Sequence, residues 1–497
     1  MPANLLFIYT DEQAVNTLAA YGNRQIQMPN LDRLAAAGTV FEQAYVTQPV
    51  CTPSRSSLLT GLWPHQNGCT ANNIPLPQDV ACLPEMLQSD YITAHYGKWH
   101  LGDEIFAQHG FQEWRSIEDL YRAYYSDPDS CDERSHYHKW LVNHGVTPEN
   151  GSFFRRGETC RLPEHLGKPA YLAGEACDFL QSHRDDPFIL YVNFLEPHMP
   201  YYGPRDDQYD PASIPLPANF ESRPGNDVPL KLRVYQEAYR ERGHSGFPLR
   251  TPEDWRRMIA RYWGLCSLVD THAGRILTTL EELGLDRHTV VVFTSDHGDM
   301  MGSHQLLAKC VMYEEAVRVP LIVRLPGQEE GRRIQGPVSQ IDLVPTLLEL
   351  LRQPVPENLP GKSRAEWLQP GGPARVDDGV VIEWQGPNSG AVGEGRNAFR
   401  IPERLRGIVR AEDLAASVTD PVRTLLAPDQ WKFSVSSLGR HELYNLATDP
   451  FETRNLARAP DQRERMAALF ADLRRWQQRT GDTVALADGL QPGRQAT

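Results

Sequence analysis

No apolar run in this 497-residue chain approaches the roughly 18 residues that a membrane span needs. Basic residues are in deficit: 50 Lys and Arg stand against 64 Asp and Glu, a net charge of 50 − 64 = −14. That balance argues against a nucleic-acid partner, because a phosphate backbone needs clustered cations. It leaves room for a small anionic substrate held by a few cations at one pocket. Cysteine is sparse and scattered, with eight residues at 51, 69, 82, 131, 160, 177, 266 and 310 and no CxxC pair. Seven of them are expected to be buried free thiols, the default in a long chain without a dense disulfide framework. The opening stretch "MPANLLFIYTDEQ" has no basic n-region and no small-residue cleavage site, so a cytoplasmic location is expected. No internal repeat is visible.

What is present is an alternation of strand-like and helical patterns. "NLLFIYT" is a short apolar run ending at Asp11, and "NLDRLAAAGTVFEQAYV" reads as a helix closed by Gly38 and then a strand. Further strands are expected near Phe188–Phe194, in "TVVVFTSDHGD" and in "VPLIVRLPG", and further helices in "DTHAGRILTTLEELGL" and "SQIDLVPTLLELL". The apolar runs are continuous rather than alternating. That predicts an α/β fold with a large mixed, mostly parallel sheet sandwiched by helices. A Gly- and Pro-rich stretch, Leu351–Gly379, reads as a linker or crossing loop. The expected division is a catalytic domain over residues 1–375 and a smaller α+β domain over 376–497, with an antiparallel sheet and one charged helix from about Pro460 to Thr480. Asp103–Arg184 and Tyr201–Glu253 show little periodicity and are expected to be loops over the catalytic edge.

Asp11, Cys51, His198, Asp296 and His297 all lie at or just after the C-terminal end of an apolar run, or in the following loop. Open α/β sheets bind ligands at that carboxyl edge, so residues far apart in sequence can form one site. The pairs Asp11-Glu12 and Asp296-His297 offer carboxylate oxygens and one imidazole, a donor set for Ca²⁺, Mg²⁺ or Mn²⁺. Cys51 opens "CTPSRSSLLTG". A thiolate phosphatase loop would place an arginine six residues after the thiol, whereas here the arginine is four after it and position 57 is Ser57. No CxGxC-type protease context is present either.

Cys51-Thr52-Pro53-Ser54-Arg55, continued by Leu59-Thr60-Gly61, resembles the signature of the type I sulfatases of the alkaline phosphatase superfamily. Its companions stand in that family's order: "TDEQ", "HYGKWHLG", "EPHMPY" and "SDHGDMMGSHQLLAK". The resemblance implies an alkaline phosphatase-like fold and oxidation of Cys51 to Cα-formylglycine by a formylglycine-generating maturation enzyme. It also implies one divalent metal ion, Ca²⁺ before Mn²⁺ or Mg²⁺, bound by Asp11, Asp296, His297 and residue 51. Glu12 stands where many family members have a second aspartate, and it ranks below Asp11 as a ligand. By the same resemblance Arg55 fixes the hydrated aldehyde, and Lys98 and Lys309 hold the anionic group. Lys309 or His198 lies near the leaving oxygen, and His100 serves the formylglycine hydroxyls.

This chemistry suits a sulfate ester. Its oxygens need neutralising charge, which a dication with Lys98 and Lys309 can supply. One hydroxyl of a hydrated aldehyde attacks sulfur, and deprotonation of the other expels sulfate. The expected activity is therefore a sulfuric ester hydrolase acting on a small anionic substrate, such as a sulfated sugar or an aryl sulfate. A phosphonate monoester or phosphodiester hydrolase on the same scaffold is the alternative, and a catalytically dead glycan-binding protein is a third reading.

Overall fold

The computed structural model describes residues 3–385 and 400–487. Parts of the opening stretch and of the expected smaller domain, residues 1–2, 386–399 and 488–497, lie outside the described residues. Eight strands form one sheet: β1 (Asn4–Asp11), β2 (Thr39–Tyr45), β3 (Ile92–Gly97), β4 (Glu113–Arg115), β5 (Phe188–Pro197), β6 (Thr289–Ser295), β7 (Arg318–Arg324) and β8 (Arg332–Ser339). Their order is β4-β3-β5-β1-β6-β7-β2-β8. Every neighbouring pair is parallel except the two that β7 makes, so β7 alone runs against the rest. β1, β5 and β6 are buried along their whole length, which is why their apolar runs do not alternate.

The long helix Pro252–Glu282 packs on the Pro29–Ala37 and Lys168–Ser182 helices and on β5. The helix Leu343–Leu350 packs on Cys51–Thr60, a helix whose ten residues are all buried. No helix among the described residues is long and apolar enough to cross a membrane. A second, antiparallel sheet holds β9 (Val380–Trp384), β10 (Val422–Leu426), β11 (Trp431–Ser436) and β12 (Glu442–Asn445) in the order β12-β11-β10-β9. The charged helix runs from Arg463 to Thr480 and lays Leu469, Leu473 and Trp476 against that sheet's Phe433, Val435 and Leu443.

Three expectations need correction. Asp103–Arg184 and Tyr201–Glu253 are not all loop, since they contain the helices His136–Asn143, Lys168–Ser182 and Leu230–Arg242. The helix expected from Asp270 begins much earlier, at Pro252, where Thr251 and Asp254 form a reciprocal N-terminal cap. Among the seven cysteines other than Cys51, Cys131 is exposed and Cys160 only partly buried, because the polar turn Pro128–Asp132 carries Cys131 on the surface.

Candidate active site

The sheet order sets the site. β3, β5, β1 and β6 are consecutive parallel neighbours, so their carboxyl ends lie side by side. Lys98 directly follows β3, His198 directly follows β5, Asp11 ends β1, and Asp296-His297 follow β6. The β1–β5 register slips there: Thr10 pairs with Phe194 but Asp11 with Pro197. Such an irregularity re-aims the end of a strand, here at His198. Gly97 closes β3 at φ +122°, and a Cβ there would lie 2.0 Å from the Asn193 carbonyl oxygen. Only glycine lets the chain turn at that point to deliver Lys98.

Cys51 is the first residue of its buried helix and is itself 1% exposed. Its Sγ lies 3.3 Å from His297 Nε2 and 3.7 Å from Asp11 Oδ1. His297 Nε2 is also 3.7 Å from Asp11 Oδ1 and 3.6 Å from Asp296 Oδ1. His297 Nδ1 faces the Gly298 carbonyl at 3.0 Å. A carbonyl only accepts, so Nδ1 carries the proton and the Nε2 lone pair points into the cluster. Asp11, Cys51, Asp296 and His297 thus present four donor atoms within 4.8 Å of one another, all buried. Two carboxylates and one imidazole fit a divalent cation.

Arg55 ties the cluster together. Its Nη2 donates to Asp11 Oδ2 at 2.9 Å, and its Nη1 to the Lys98 carbonyl at 2.7 Å and Asn193 Oδ1 at 2.8 Å. Its Nε sits 2.9 Å from Asp296 Oδ2 as an ion pair without hydrogen-bond alignment, which leaves Asp296 Oδ2 with no hydrogen bond. Lys98 Nζ also reaches Asp11 Oδ2. Burial would raise the Asp11 carboxyl, but Lys98, His198, Arg55 and Lys309 outweigh it and hold the acid well below its usual range. Burial pushes the Cys51 thiol up to about 11, so the unmodified side chain is not a ready thiolate.

Glu12 stands apart from the four-donor set. It has φ +69°, is fully buried, and places Oε2 3.0 Å from Lys309 Nζ and 3.4 Å from His198 Nε2. Burial lifts its carboxyl to about 7. Lys309 is held above its usual value despite burial, because Cys51, Glu12 and Asp11 face it, and it stays cationic. His198 donates from Nδ1 to the Met199 carbonyl at 2.7 Å, and burial drives it well below its usual value. His100 (φ +63°) pairs Nε2 with Asn73 Oδ1 at 2.9 Å and has no hydrogen bond at Nδ1. No hydrogen bond joins His100 to Cys51 among the described residues; the two meet as walls of one cavity.

That cavity has a volume of about 620 Å³ and is lined by Cys51, Lys98, His100, His198 and Lys309. Tyr121 and Tyr124 from Asp103–Arg184 close one part of it, and Arg242 to Ser245 from Tyr201–Glu253 close another, in line with the expectation that these stretches cover the catalytic edge. Sequence reasoning missed the polar residues that support the site. Gln340 accepts from Ser54 Oγ at 2.8 Å and donates to the Ser295 and Asp296 carbonyls at 3.1 and 3.2 Å. Asn193 holds Arg55, and Asn73 holds His100. Gln340 and Asn193 lie inside stretches read only as a helix and a strand, and Asn73 carries no sequence signal.

Comparison with known proteins agrees with this geometry. The family model described as Sulfatase matches residues 3–353. An uncharacterized sulfatase, YidJ, of Escherichia coli K12 is 29% identical over 488 residues, covering 94% of this chain and 86% of that protein. A structure solved in complex with its substrate D-glucosamine-2-N,6-O-disulfate superposes with a TM-score of 0.74 at 21% identity, covering 98% of this chain and 99% of that one. The phosphonate monoester hydrolase of Silicibacter pomeroyi superposes with a TM-score of 0.76 at 22% identity, over 97% and 96% of the two chains. The likeness to the two solved structures shows the fold, and the family model's match across most of the chain shows the lineage: this protein belongs to the sulfatase family.

Proposed function

We propose that the chain hydrolyses sulfate monoesters, using residue 51 as nucleophile after oxidation of Cys51 to Cα-formylglycine, together with one divalent cation. The observation that carries this reading is the buried convergence of Asp11, Asp296 and His297 on Cys51, which lines a cavity together with Lys98 and Lys309. Asp11, Asp296, His297 and residue 51 would hold the cation, Ca²⁺ before Mg²⁺ or Mn²⁺, and bound there it would neutralise charge on the sulfate oxygens. As a hydrated aldehyde, residue 51 would supply the attacking hydroxyl.

The chain's own residues do the rest. Lys98 and Lys309, both kept cationic, bind and orient the anionic group. Arg55 fixes the donor set from behind. His100, kept neutral by burial and with Nδ1 unengaged, can take a proton from the nucleophile. The Glu12, His198 and Lys309 group holds protons beside the leaving oxygen. Because Cys51 is buried, the maturation enzyme acts on the chain before folding closes over it. The substrate is a small sulfated molecule such as a sulfated sugar or aryl sulfate.

The test is release of nitrophenol from 4-nitrophenyl sulfate by mature enzyme and by Cys51→Ala. Loss of turnover by roughly a thousandfold or more, with melting temperature little changed, is expected for removal of a covalent nucleophile. Persistent turnover in Cys51→Ala would rule out residue 51 as nucleophile.

A further inference from the structure

The cavity holds more positive charge than the hydrolysed group requires. Four cations line it, Lys98, Lys309, Arg156 and Arg242, and none of its lining residues is Asp or Glu. Three of the four are matched from behind: Lys98 by Asp11, Lys309 by Glu12, and Arg156 by Glu118. Arg156 also donates to the Tyr121 hydroxyl at 2.6 Å, so its fork is occupied in holding the cavity wall. Arg242 differs. Among the described residues it has no ion pair, hydrogen bond or aromatic partner, although it is partly buried in a protein of net charge −14.

Its place explains neither the freedom nor the charge. Arg242 ends the helix Leu230–Arg242, where a basic side chain commonly bonds the last carbonyls. Those acceptors are served by other groups: the Gly243 N–H takes the Tyr239 carbonyl at 2.7 Å, and Arg250 Nη2 takes that of Glu241 at 3.3 Å. The following turn is rigid. Gly243 has φ +65°, and a Cβ there would lie 1.9 Å from the Phe247 carbonyl oxygen. His244 and Phe247 exchange two backbone hydrogen bonds of 2.8 Å. His244 also lines the cavity, and its buried Nε2 has no hydrogen-bond partner. The Arg242 guanidinium and the His244 Nε2, both unengaged and two residues apart in sequence, therefore line the same cavity as Cys51.

We infer that this turn is a second anion subsite, in which Arg242 and His244 bind an oxyanion of the substrate, sulfate or carboxylate, separate from the ester that is cleaved. The cavity's roughly 620 Å³ lies within the range of small-molecule sites and gives room for a sugar ring bearing two anionic groups. The inference rests on the sulfatase reading of the same cavity.

The experiment compares kcat/KM of mature wild type, Arg242→Gln and Arg242→Lys on 4-nitrophenyl sulfate and on matched pairs of sulfated monosaccharides. One pair differs by an added N-sulfate and another by a ring carboxylate. Wild type should prefer one dianionic partner by roughly ten- to a hundredfold, the scale of a charge-assisted hydrogen bond. The pair that shows the preference identifies the oxyanion. Arg242→Gln should erase that preference through KM, with a smaller loss on 4-nitrophenyl sulfate than on the preferred dianion, and Arg242→Lys should restore part of it. Hydrolysis of 4-nitrophenyl sulfate with no dianion preference in either pair overturns the subsite alone. An equal loss on mono- and dianionic substrates in Arg242→Gln also overturns it. No hydrolysis of any sulfate ester by fully matured enzyme overturns the sulfatase reading instead.

Discussion

At the scale of single residues, Arg55 does more than any neighbour. One planar fork reaches Asp11, Asp296, Asn193 and the Lys98 carbonyl, with the Tyr9 ring 5.4 Å beneath it. Lysine keeps the charge but has no fork, so Arg55→Lys leaves buried acceptors unmatched. The expected cost is about 3–5 kcal/mol, as for a broken buried ion pair, read as a lowered denaturant midpoint together with loss of turnover. Gln340 separates support from chemistry. Gln340→Ala should lower stability by about 1–3 kcal/mol, as buried carbonyls and Ser54 lose partners, with a smaller effect on kcat. The residues that converge at the site were legible because Cys51, Arg55, Asp296 and Lys309 sit in contiguous motifs. Gln340, Asn193 and Asn73 were not, because their partners are tertiary: Gln340 bonds a carbonyl 44 residues away. Nor did the sequence reveal that Glu12, one residue after Asp11, would turn to Lys309, since that depends on its left-handed backbone.

Between elements, tight turns and buried pairs fix where the cavity walls stand. Gly97→Ala forces a Cβ into backbone with no room to give, and a loss of about 2–4 kcal/mol is expected in chemical unfolding, by analogy with other strained or overpacked sites. Glu118 ties together distant parts of Asp103–Arg184 through Lys168 and Arg156, of which Arg156 lines the cavity. Burial alone would raise its carboxyl, but Arg156 and Lys168 outweigh that and hold it at about 2. A depressed folded pKa stabilises above the unfolded value near 4.5 and is lost as pH falls from there towards 2. Between pH 5 and pH 3 the melting temperature of wild type should therefore fall more steeply than that of Glu118→Gln. Equal slopes would mean that the pair adds nothing. The helix Lys168–Ser182 lies in a stretch expected to be loop, although Tyr171, Leu172, Ala176, Phe179 and Leu180 mark one buried face. Leu230–Arg242 was harder to read, because its charged residues mask a shallow apolar stripe.

For the whole molecule, the alternation of continuous apolar runs foretold a mostly parallel sheet, whereas the reversed direction of β7 carries no local signature. Strand direction follows from connection geometry, and nothing in "RVPLIVR" encodes it. The two sheets share their packing. Trp63 meets Trp476 edge-on at 5.2 Å, and Lys432 of β11 makes buried pairs with Glu314 and Glu452 at 2.9 and 2.8 Å. The main core cluster includes Val380, Ile382 and Trp384 of β9. One cooperative transition is therefore expected, with far-ultraviolet circular dichroism and tryptophan fluorescence melting together. Separated transitions would show two independent units. If a dication sits at Asp11, Asp296 and His297 as proposed, chelation should lower that single melting temperature and abolish turnover together.

The most direct measurement is mass spectrometry of the peptide containing Cys51, taken on the same sample as kcat/KM for an aryl sulfate and an aryl phosphonate ester. The expected result is an aldehyde in place of the thiol, with the sulfate ester cleaved faster. An aldehyde with faster phosphonate cleavage would contradict the substrate assignment, and an intact thiol in fully active enzyme would contradict the formylglycine nucleophile.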